Sequence, residues 1–310
     1  MTAPFLSLAA ELKAKAALAP TDILALRRIA WPDGRIDPAE AEAIFDLNDA
    51  LHPSDREWVD FFVEAMGDYV VRQSAPAGYV DEAKAEWLTA RIDRDGRVDS
   101  LGELELLVKV LETATQVPER LKDYALAQIE AAVLTGAGPT RDGSALDPGS
   151  VNAAEAMLLR RILFAQAGDG PASISRAEAD MLFRIKDLSL GAANAPEWDR
   201  LFVQAVGNHL MAYNGYRPLA REEAVRLEAF VSDNQPSIGR FFGRMAAAVL
   251  SGFSSAAPET CPDHEALQMA ARAIEPAEAA WLKERLAAEL DPLETALLDF
   301  IAEESGQKLA

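Results

Sequence analysis

An internal repeat limits the folds open to this chain more than any other sequence feature. Residues 26–29 and 159–162 both read Leu-Arg-Arg-Ile, and residues 57–68 and 197–208 both place Glu-Trp before Phe-Val-x-Ala-x-Gly. The separation between matched segments widens along the chain, as small loop insertions between matched helices would produce. Self-similarity of this kind is typical of tandem helical architectures, because neighbouring units bury each other's apolar faces.

Apolar residues recur at helical spacing along the chain. Leu101, Leu104, Val108 and Leu111 follow the spacing of one helix face. Residues with branched β-carbons are sparse, and no segment alternates convincingly between apolar and polar residues. The sequence therefore predicts an all-α fold of tandem duplicated helix-loop-helix modules that form two packed helical domains.

Several predicted helices begin with a complete capping signal. Residues 37–40, Asp-Pro-Ala-Glu, combine an N-cap acceptor, a proline at the first helical position and a glutamate at the third. Residues 175–178 repeat the cap and the glutamate, and residues 291–294 restore the proline as well. Because the glutamate returns a hydrogen bond to the N-cap backbone, the pattern predicts where each helix starts.

A stretch rich in glycine, proline, serine and aspartate separates the two halves. Such a composition is typical of a loop or linker. We predict a first helical repeat domain over residues 1–138, a linker over 139–152, and a second helical repeat domain with an extra C-terminal helical pair over 153–310.

The chain is strongly acidic, with 50 acidic and 30 basic residues among 310 and a net charge of -20. This field repels nucleic-acid phosphates and anionic lipid, and it favours a protein partner with a basic surface. The alternative is that the acidity only keeps the protein soluble. The sequence shows neither a signal peptide nor an apolar run of transmembrane length. We therefore expect a cytoplasmic protein without nucleic-acid partners or direct membrane insertion.

The loop at residues 93–103 resembles a calcium-binding EF-hand loop. An EF-hand places side-chain oxygens at alternate positions around a glycine turn and closes the shell with a glutamate. Arg91 and Gly102 stand where two further carboxylates are expected. The alternative interpretation is a helix-loop-helix unit whose aspartates cap helices. The candidate ligands for calcium or another divalent cation are Asp93, Asp95, Asp99 and Glu103.

The turn at residues 33–40, Asp-Gly-x-Ile-Asp-x-x-Glu, resembles the tellurite-resistance TerB-like family. The resemblance extends over residues 20–75 and 155–212. It implies an all-helical fold, an acidic surface associated with divalent metal, and a place in stress-response and membrane-associated complexes. Ser175 departs from the acidic pattern of the family. The residues that the resemblance carries over are Asp33, Asp37 and Glu40, with Asp169 and Glu178 in the second copy.

Other chemically capable side chains lack a supporting pattern. Trp58 and Trp198 are candidates for a paired aromatic ligand site, but tryptophan at helical spacing is more often a core anchor. Cys261 and His264 lie close in sequence, yet one cysteine and one histidine do not form a zinc site. The sequence has no nucleotide-binding, metalloprotease or nucleophile-elbow motif.

These observations favour a non-enzymatic, acidic helical adaptor or scaffold that binds a protein partner and is related to stress. The alternative is a sensor that responds to calcium through the loop at residues 93–103. A metalloenzyme with carboxylate-rich helices is a third class, but it requires a Glu-x-x-His pattern that the sequence lacks. The sequence predicts neither the identity of the partner nor the oligomeric state.

Overall fold

The computed structural model describes residues 2–15, 17–30, 35–51, 55–94, 96–141, 148–165, 174–211, 221, 224–225 and 274–306. Regular structure in these ranges is almost entirely α-helical, so the predicted all-α fold is confirmed. A π-helical segment, Asp68–Arg72, continues α4, and two short strands form a hairpin, β1 Asp93–Arg94 and β2 Arg97–Val98. The helices are α1 Thr2–Lys13, α2 Pro20–Ala30, α3 Pro38–Leu51, α4 Arg56–Gly67, α5 Glu82–Ile92, α6 Leu101–Thr113, α7 Glu119–Thr135, α8 Ala153–Leu163, α9 Arg176–Leu188, α10 Pro196–Met211, α11 Pro276–Arg285 and α12 Pro292–Ser305.

Reciprocal side-chain caps determine where several helices begin. In each, the N-cap side chain accepts a hydrogen bond from the glutamate's backbone N–H, and the glutamate carboxylate accepts one from the N-cap backbone. These bonds satisfy backbone donors that have no partner within the helix. The predicted starts of α3, α9 and α12 are confirmed. The pairs are Asp37 with Glu40 at α3, Ser100 with Glu103 at α6, Ser175 with Glu178 at α9, and Asp291 with Glu294 at α12.

The helices pack around one continuous hydrophobic core. Helix α1 packs against α2 and α3, and α4 packs along α6; α7 packs against α8 and α9, and α10 packs along α12. Helices α6 and α8 also meet, where Arg161 lies 2.7 Å from both Glu105 and Glu112. Buried apolar side chains form a single cluster from Phe5 in α1 to Ile301 in α12. The two halves of the sequence therefore share a core.

The predicted linker takes part in this packing. Its Arg141 is buried, and the Nε of that residue lies 2.7 Å from Oε1 of Glu155 in α8. The Arg141 guanidinium also donates to the carbonyl oxygen of Ser150. Helix α7, which precedes the linker in sequence, packs against α8 and α9, which follow it. The described part of the linker is thus held by a buried ion pair, while the domain boundaries stay a prediction.

Some contacts of the first half have a counterpart in the second. Trp87 in α5 donates from Nε1 to Oε1 of Glu42 in α3 at 2.6 Å. Trp281 in α11 donates from Nε1 to Oδ1 of Asp180 in α9 at 2.9 Å. Each bond joins the helix that follows the repeated segment, α5 or α11, to a matched position in α3 or α9, respectively. The duplication of whole modules stays a prediction, and these contacts are consistent with it.

Trp58 and Trp198 lie in the core, as predicted for two anchors, and neither has exposed surface. Their indole N–H groups differ in partners. Nε1 of Trp58 donates to Oδ1 of Asn48 at 3.1 Å. Nε1 of Trp198 is buried and has no hydrogen-bond partner among the described residues. The two matched positions therefore have different polar surroundings.

Candidate functional site

A β-hairpin joins α5 to α6 and contains several of the predicted calcium ligands. Strands β1 and β2 pair antiparallel, with Asp93 opposite Val98. Oδ1 of Asp93 accepts a hydrogen bond from the backbone N–H of Gly96 at 2.7 Å. Gly96 has a φ of 84°, in the left-handed region that favours glycine. In this structure Asp93 therefore stabilises the turn.

Helix α7 holds the hairpin through residues that sequence analysis missed. Oε1 of Gln128 accepts from the backbone N–H of Val98 at 3.0 Å, and Nε2 donates to the carbonyl oxygen of Gly96 at 3.2 Å. The Tyr124 hydroxyl lies one turn earlier, and burial together with the charge of Asp93 raises the pKa of Tyr124. Neither α7 residue belongs to a recognisable motif, so only the tertiary contact identifies them.

Glu103, the predicted closing ligand of the calcium loop, is a buried capping residue. Its Oε2 accepts from the backbone N–H of Ser100 at 3.1 Å, and its Oε1 accepts from Nδ2 of Asn48 at 3.2 Å. Burial raises the pKa of Glu103, and the charges of Asp49 and Asp99 add to this, whereas the hydrogen bonds with Ser100 oppose it. A cation at Glu103 would compete with the helix cap and the Asn48 amide for the same oxygens.

The residues implied by the TerB-like resemblance that the structure describes, Asp37, Glu40 and Glu178, also cap helices. Oδ1 of Asp37 accepts from the backbone N–H groups of Ala39 and Glu40 at 2.8 and 2.9 Å. Oε2 of Glu40 accepts from the backbone N–H of Asp37 at 3.1 Å. In the second half, Glu178 caps α9 and its Oε1 lies 2.6 Å from Nζ of Lys122. Each of these carboxylates therefore has a structural role at a helix start.

A cavity of about 430 Å³ lies beside Asp37 and Glu40. Tyr69 and Lys84 line it as well, and Nζ of Lys84 lies 3.7 Å from the centroid of the Tyr69 ring. Burial lowers the pKa of Lys84 and raises the pKa of Tyr69. A lysine at this cavity makes it less favourable to a metal cation than its carboxylates alone suggest.

The structure describes only some of the predicted metal ligands. Among the ranges it describes, no three histidine, cysteine, aspartate or glutamate side chains are placed to hold a metal ion together. Several of the candidates lie outside those ranges: Asp33, Asp95, Asp169, Cys261 and His264. Both metal sites, one at Asp93, Asp95, Asp99 and Glu103 and one at Asp33, Asp37 and Glu40, therefore stay predictions.

A groove of about 950 Å³ runs between α4 and α6. Its apolar floor consists of Val59 and Val63 from α4 and Leu101 from α6, and Leu101 is 46% exposed. At Gly67 the side chain of Lys109 lies close to the α4 backbone, because a Cβ there would lie 3.3 Å from Cγ of Lys109. An apolar strip of this kind between charged edges is typical of a surface that binds a protein segment.

Two ion pairs lie along the α4 edge of the groove, one in α4 that is exposed on both sides and one in the π-helical segment whose Asp68 is 21% exposed. Arg56 and Asp60 lie 3.9 Å apart, as do Arg72 and Asp68. Exposed pairs of this kind contribute little to stability. The Arg56–Asp60 pair therefore contributes little, whereas Asp68 also accepts a hydrogen bond from Nε2 of Gln73 at 2.9 Å.

An aromatic side chain covers the corresponding place between α10 and α12. Gly207 in α10 occupies the position of Gly67 in the repeated sequence. A Cβ on Gly207 would lie 2.5 Å from Cε1 and 2.8 Å from Cδ1 of Phe300, so the phenyl ring lies directly over the glycine. At Gly67 the neighbouring side chain is that of Lys109. Among the described residues, the surface at Gly67 thus meets only a lysine stem, whereas a ring covers the matching surface at Gly207.

Comparisons of the chain with models of protein families, with curated proteins and with solved structures found no match. Among the described residues, no helix combines the length and the apolar character needed to cross a membrane.

Proposed function

We propose that this protein is a non-enzymatic adaptor that binds a protein partner in the groove between α4 and α6. The observation that carries the proposal is the apolar floor of the groove, formed by the partly buried Val59 and Val63 and the exposed Leu101. Burial of this strip by a partner segment would remove apolar surface from water, which is the main driving force of protein association. The charged edges would orient the segment rather than provide most of the affinity.

The net charge of the chain supports a partner of opposite sign. With a net charge of -20, the protein attracts a basic surface over distances comparable to the Debye length and repels acidic ones. Association with a basic partner should therefore slow as the salt concentration rises. The resemblance to the TerB-like family supports a role for this adaptor in stress response.

The proposal is tested by photo-crosslinking in the source cells. A photoreactive amino acid replaces Asp60 at the groove edge, and the same substitution at Asp123 on α7 reports crosslinking at an exposed position elsewhere. We expect a discrete crosslinked product from position 60 that Val63→Arg abolishes. Val203→Arg is the matched control, because Val203 has the same place in the repeated sequence and is also partly buried.

The crosslinking pattern decides the proposal. Equal products from positions 60 and 123, or a product that survives Val63→Arg, would exclude the groove as the binding surface. Loss of the product in Val203→Arg as well would indicate a general effect on folding. The melting temperature of each variant separates that case from a specific one.

A second candidate function is a response to divalent cations, favoured by the negative charge around Glu103. Burial is the main cause that raises the pKa of this carboxyl, and the charges of Asp49 and Asp99 add to it, so a bound cation would relieve their repulsion. Calcium bound only by the folded protein must raise its melting temperature. We expect such a rise with millimolar calcium, and a smaller one in Asp99→Asn than in the control Asp123→Asn. An unchanged melting temperature at saturating calcium would eliminate this candidate.

A further inference from the structure

In the second half of the chain, an aromatic side chain fills the place that corresponds to the groove. Phe300 follows the capping residue Glu294 by six positions in α12, and Lys109 follows Glu103 by the same number in α6. The two side chains therefore start from equivalent positions of equivalently capped helices. Only one of them is aromatic.

The two glycines show how differently these side chains fill the space. At Gly207, two carbons of the Phe300 ring would lie within 2.8 Å of an added Cβ. At Gly67, apart from the helix's own backbone, the one atom of the described residues within 4 Å of an added Cβ is Cγ of Lys109, at 3.3 Å. The lysine is exposed, and its flexible stem leaves the cavity between α4 and α6 open.

We propose, building on the adaptor function, that a helix of a basic partner inserts one aromatic side chain over Gly67, as Phe300 lies over Gly207. A glycine surface admits a flat ring at close range, because no Cβ stands between the ring and the helix backbone. The flexible stem of Lys109, whose Cγ lies near Gly67, moves aside to admit the ring and packs against it, which brings its ammonium group within reach of a cation–π contact. Basic side chains next to the aromatic residue pair with Asp60 and Asp68 at the groove edge.

The aromatic preference is tested with a minimal probe on the full chain. Methyl NMR spectra follow Val59 and Val63 while N-acetyl-phenylalanine amide is added, and N-acetyl-leucine amide is the matched aliphatic probe. We expect saturable shifts of both valines with the phenylalanine probe and a several-fold weaker apparent affinity for the leucine probe. Equal affinities, or no saturable shift at these methyl groups, would overturn the inference.

Two substitutions exchange the presence of an aromatic ring between the halves: Lys109→Phe adds one in the first half, and Phe300→Ala removes one in the second. Lys109→Phe should fill the groove with its own ring and abolish the shifts, whereas Lys109→Gln removes the charge without filling the groove and should retain them. Phe300→Ala should open the second groove and create new probe-dependent shifts at the Val203 methyls. Shifts that persist in Lys109→Phe, or no new shifts in a folded Phe300→Ala protein, would contradict the inference.

The crosslinking experiment separates this inference from the adaptor function. A groove-dependent crosslink without any aromatic preference retains the adaptor function and rejects the aromatic anchor. Probe binding without a groove-dependent crosslink rejects the adaptor function and, with it, the partner proposed here.

Discussion

Nζ of Lys186 lies 2.6 Å from Oε1 of Glu294, and neither side chain is more than 2% exposed. The same amine lies 2.8 Å from Oδ2 of Asp291, so one cation in α9 pairs with both members of the α12 capping box. In the first half, Asn48 occupies the place of Lys186 and donates to Glu103. Helix α12 is therefore joined to α9 by charge, whereas α6 is joined to α3 by an amide.

The buried ion pair predicts a large effect of Lys186→Met on stability. The substitution leaves the Glu294 carboxylate buried without its cation, which typically costs about 3–5 kcal/mol. Adding Glu294→Gln should recover most of this loss, because glutamine is neutral and still accepts at the helix cap. Urea unfolding measures both variants. A double variant as unstable as Lys186→Met would contradict the assigned cause.

We expect Lys186→Asn to lower the free energy of unfolding less than Lys186→Met does. Its amide can donate to Glu294 and accept from Nε1 of Trp198, as Asn48 does for Glu103 and Trp58. Each recovered hydrogen bond is worth about 1 kcal/mol. The indole N–H signal of Trp198 should move downfield in NMR spectra. An unmoved signal, or equal stability of the two variants, would show that the arrangement of the first half cannot be transferred.

The same cluster predicts a pH dependence of stability at acid pH. Burial alone would raise the pKa of Asp291, but hydrogen bonds and charge from Lys186, with backbone hydrogen bonds, lower it below its ordinary value of 3.8. A lowered folded-state pKa gives stability that is present above the unfolded value and lost as the pH falls through the folded value. The melting temperature of the wild type should therefore fall more than that of Asp291→Asn from about pH 5 to about pH 2. Parallel curves would argue against this contribution.

At alkaline pH, the dependence of stability on pH has the opposite sign. Although burial opposes its charge, hydrogen bonds with Asp291, Glu294 and Asp187 raise the pKa of Lys186 above its ordinary value of 10.5. Its stabilisation is fully present below that ordinary value and is lost as the pH rises through the folded-state pKa. Lys186→Met should therefore show a flatter alkaline decline than the wild type.

The two matched glycines predict unequal tolerance of alanine. Gly207→Ala places a Cβ against the Phe300 ring and should cost about 1–3 kcal/mol, as other overpacked sites do. Gly67→Ala displaces only the stem of Lys109 and should stay within about 1 kcal/mol of the wild type, because alanine also favours the helix. Thermal unfolding of the two variants makes the comparison. Equal destabilisation would indicate that the two helix pairs are packed alike.

We expect Gln128→Ala to destabilise the β1–β2 hairpin. The substitution removes the acceptor of the Val98 N–H and the donor to Gly96, each worth about 1 kcal/mol. Hydrogen exchange at Val98 should accelerate by about tenfold. Gln128→Glu keeps an acceptor for Val98 and should protect it better than alanine does. Unchanged exchange in Gln128→Ala would place the support of the hairpin elsewhere.

The parts of the fold that sequence analysis predicted are those set by neighbouring residues. Asp37 with Glu40 and Ser175 with Glu178 begin helices because both partners of each cap lie within one helical turn. The helical periodicity likewise reports burial of one face, wherever the facing surface comes from. The sequence does not distinguish metal ligands from helix caps, because a capping carboxylate and a metal-binding carboxylate have the same sequence pattern.

By itself, the sequence determined the all-α class, the predicted starts of α3, α9 and α12, and the buried positions of Trp58 and Trp198, since these depend on local hydrogen bonds and on apolar spacing. Only the tertiary structure decided that Glu103 is held by an amide and Glu294 by an ammonium group. It also decided that the groove beside Gly67 is open while Phe300 covers Gly207. These outcomes depend on which side chains from distant helices meet in space, and no local pattern records that.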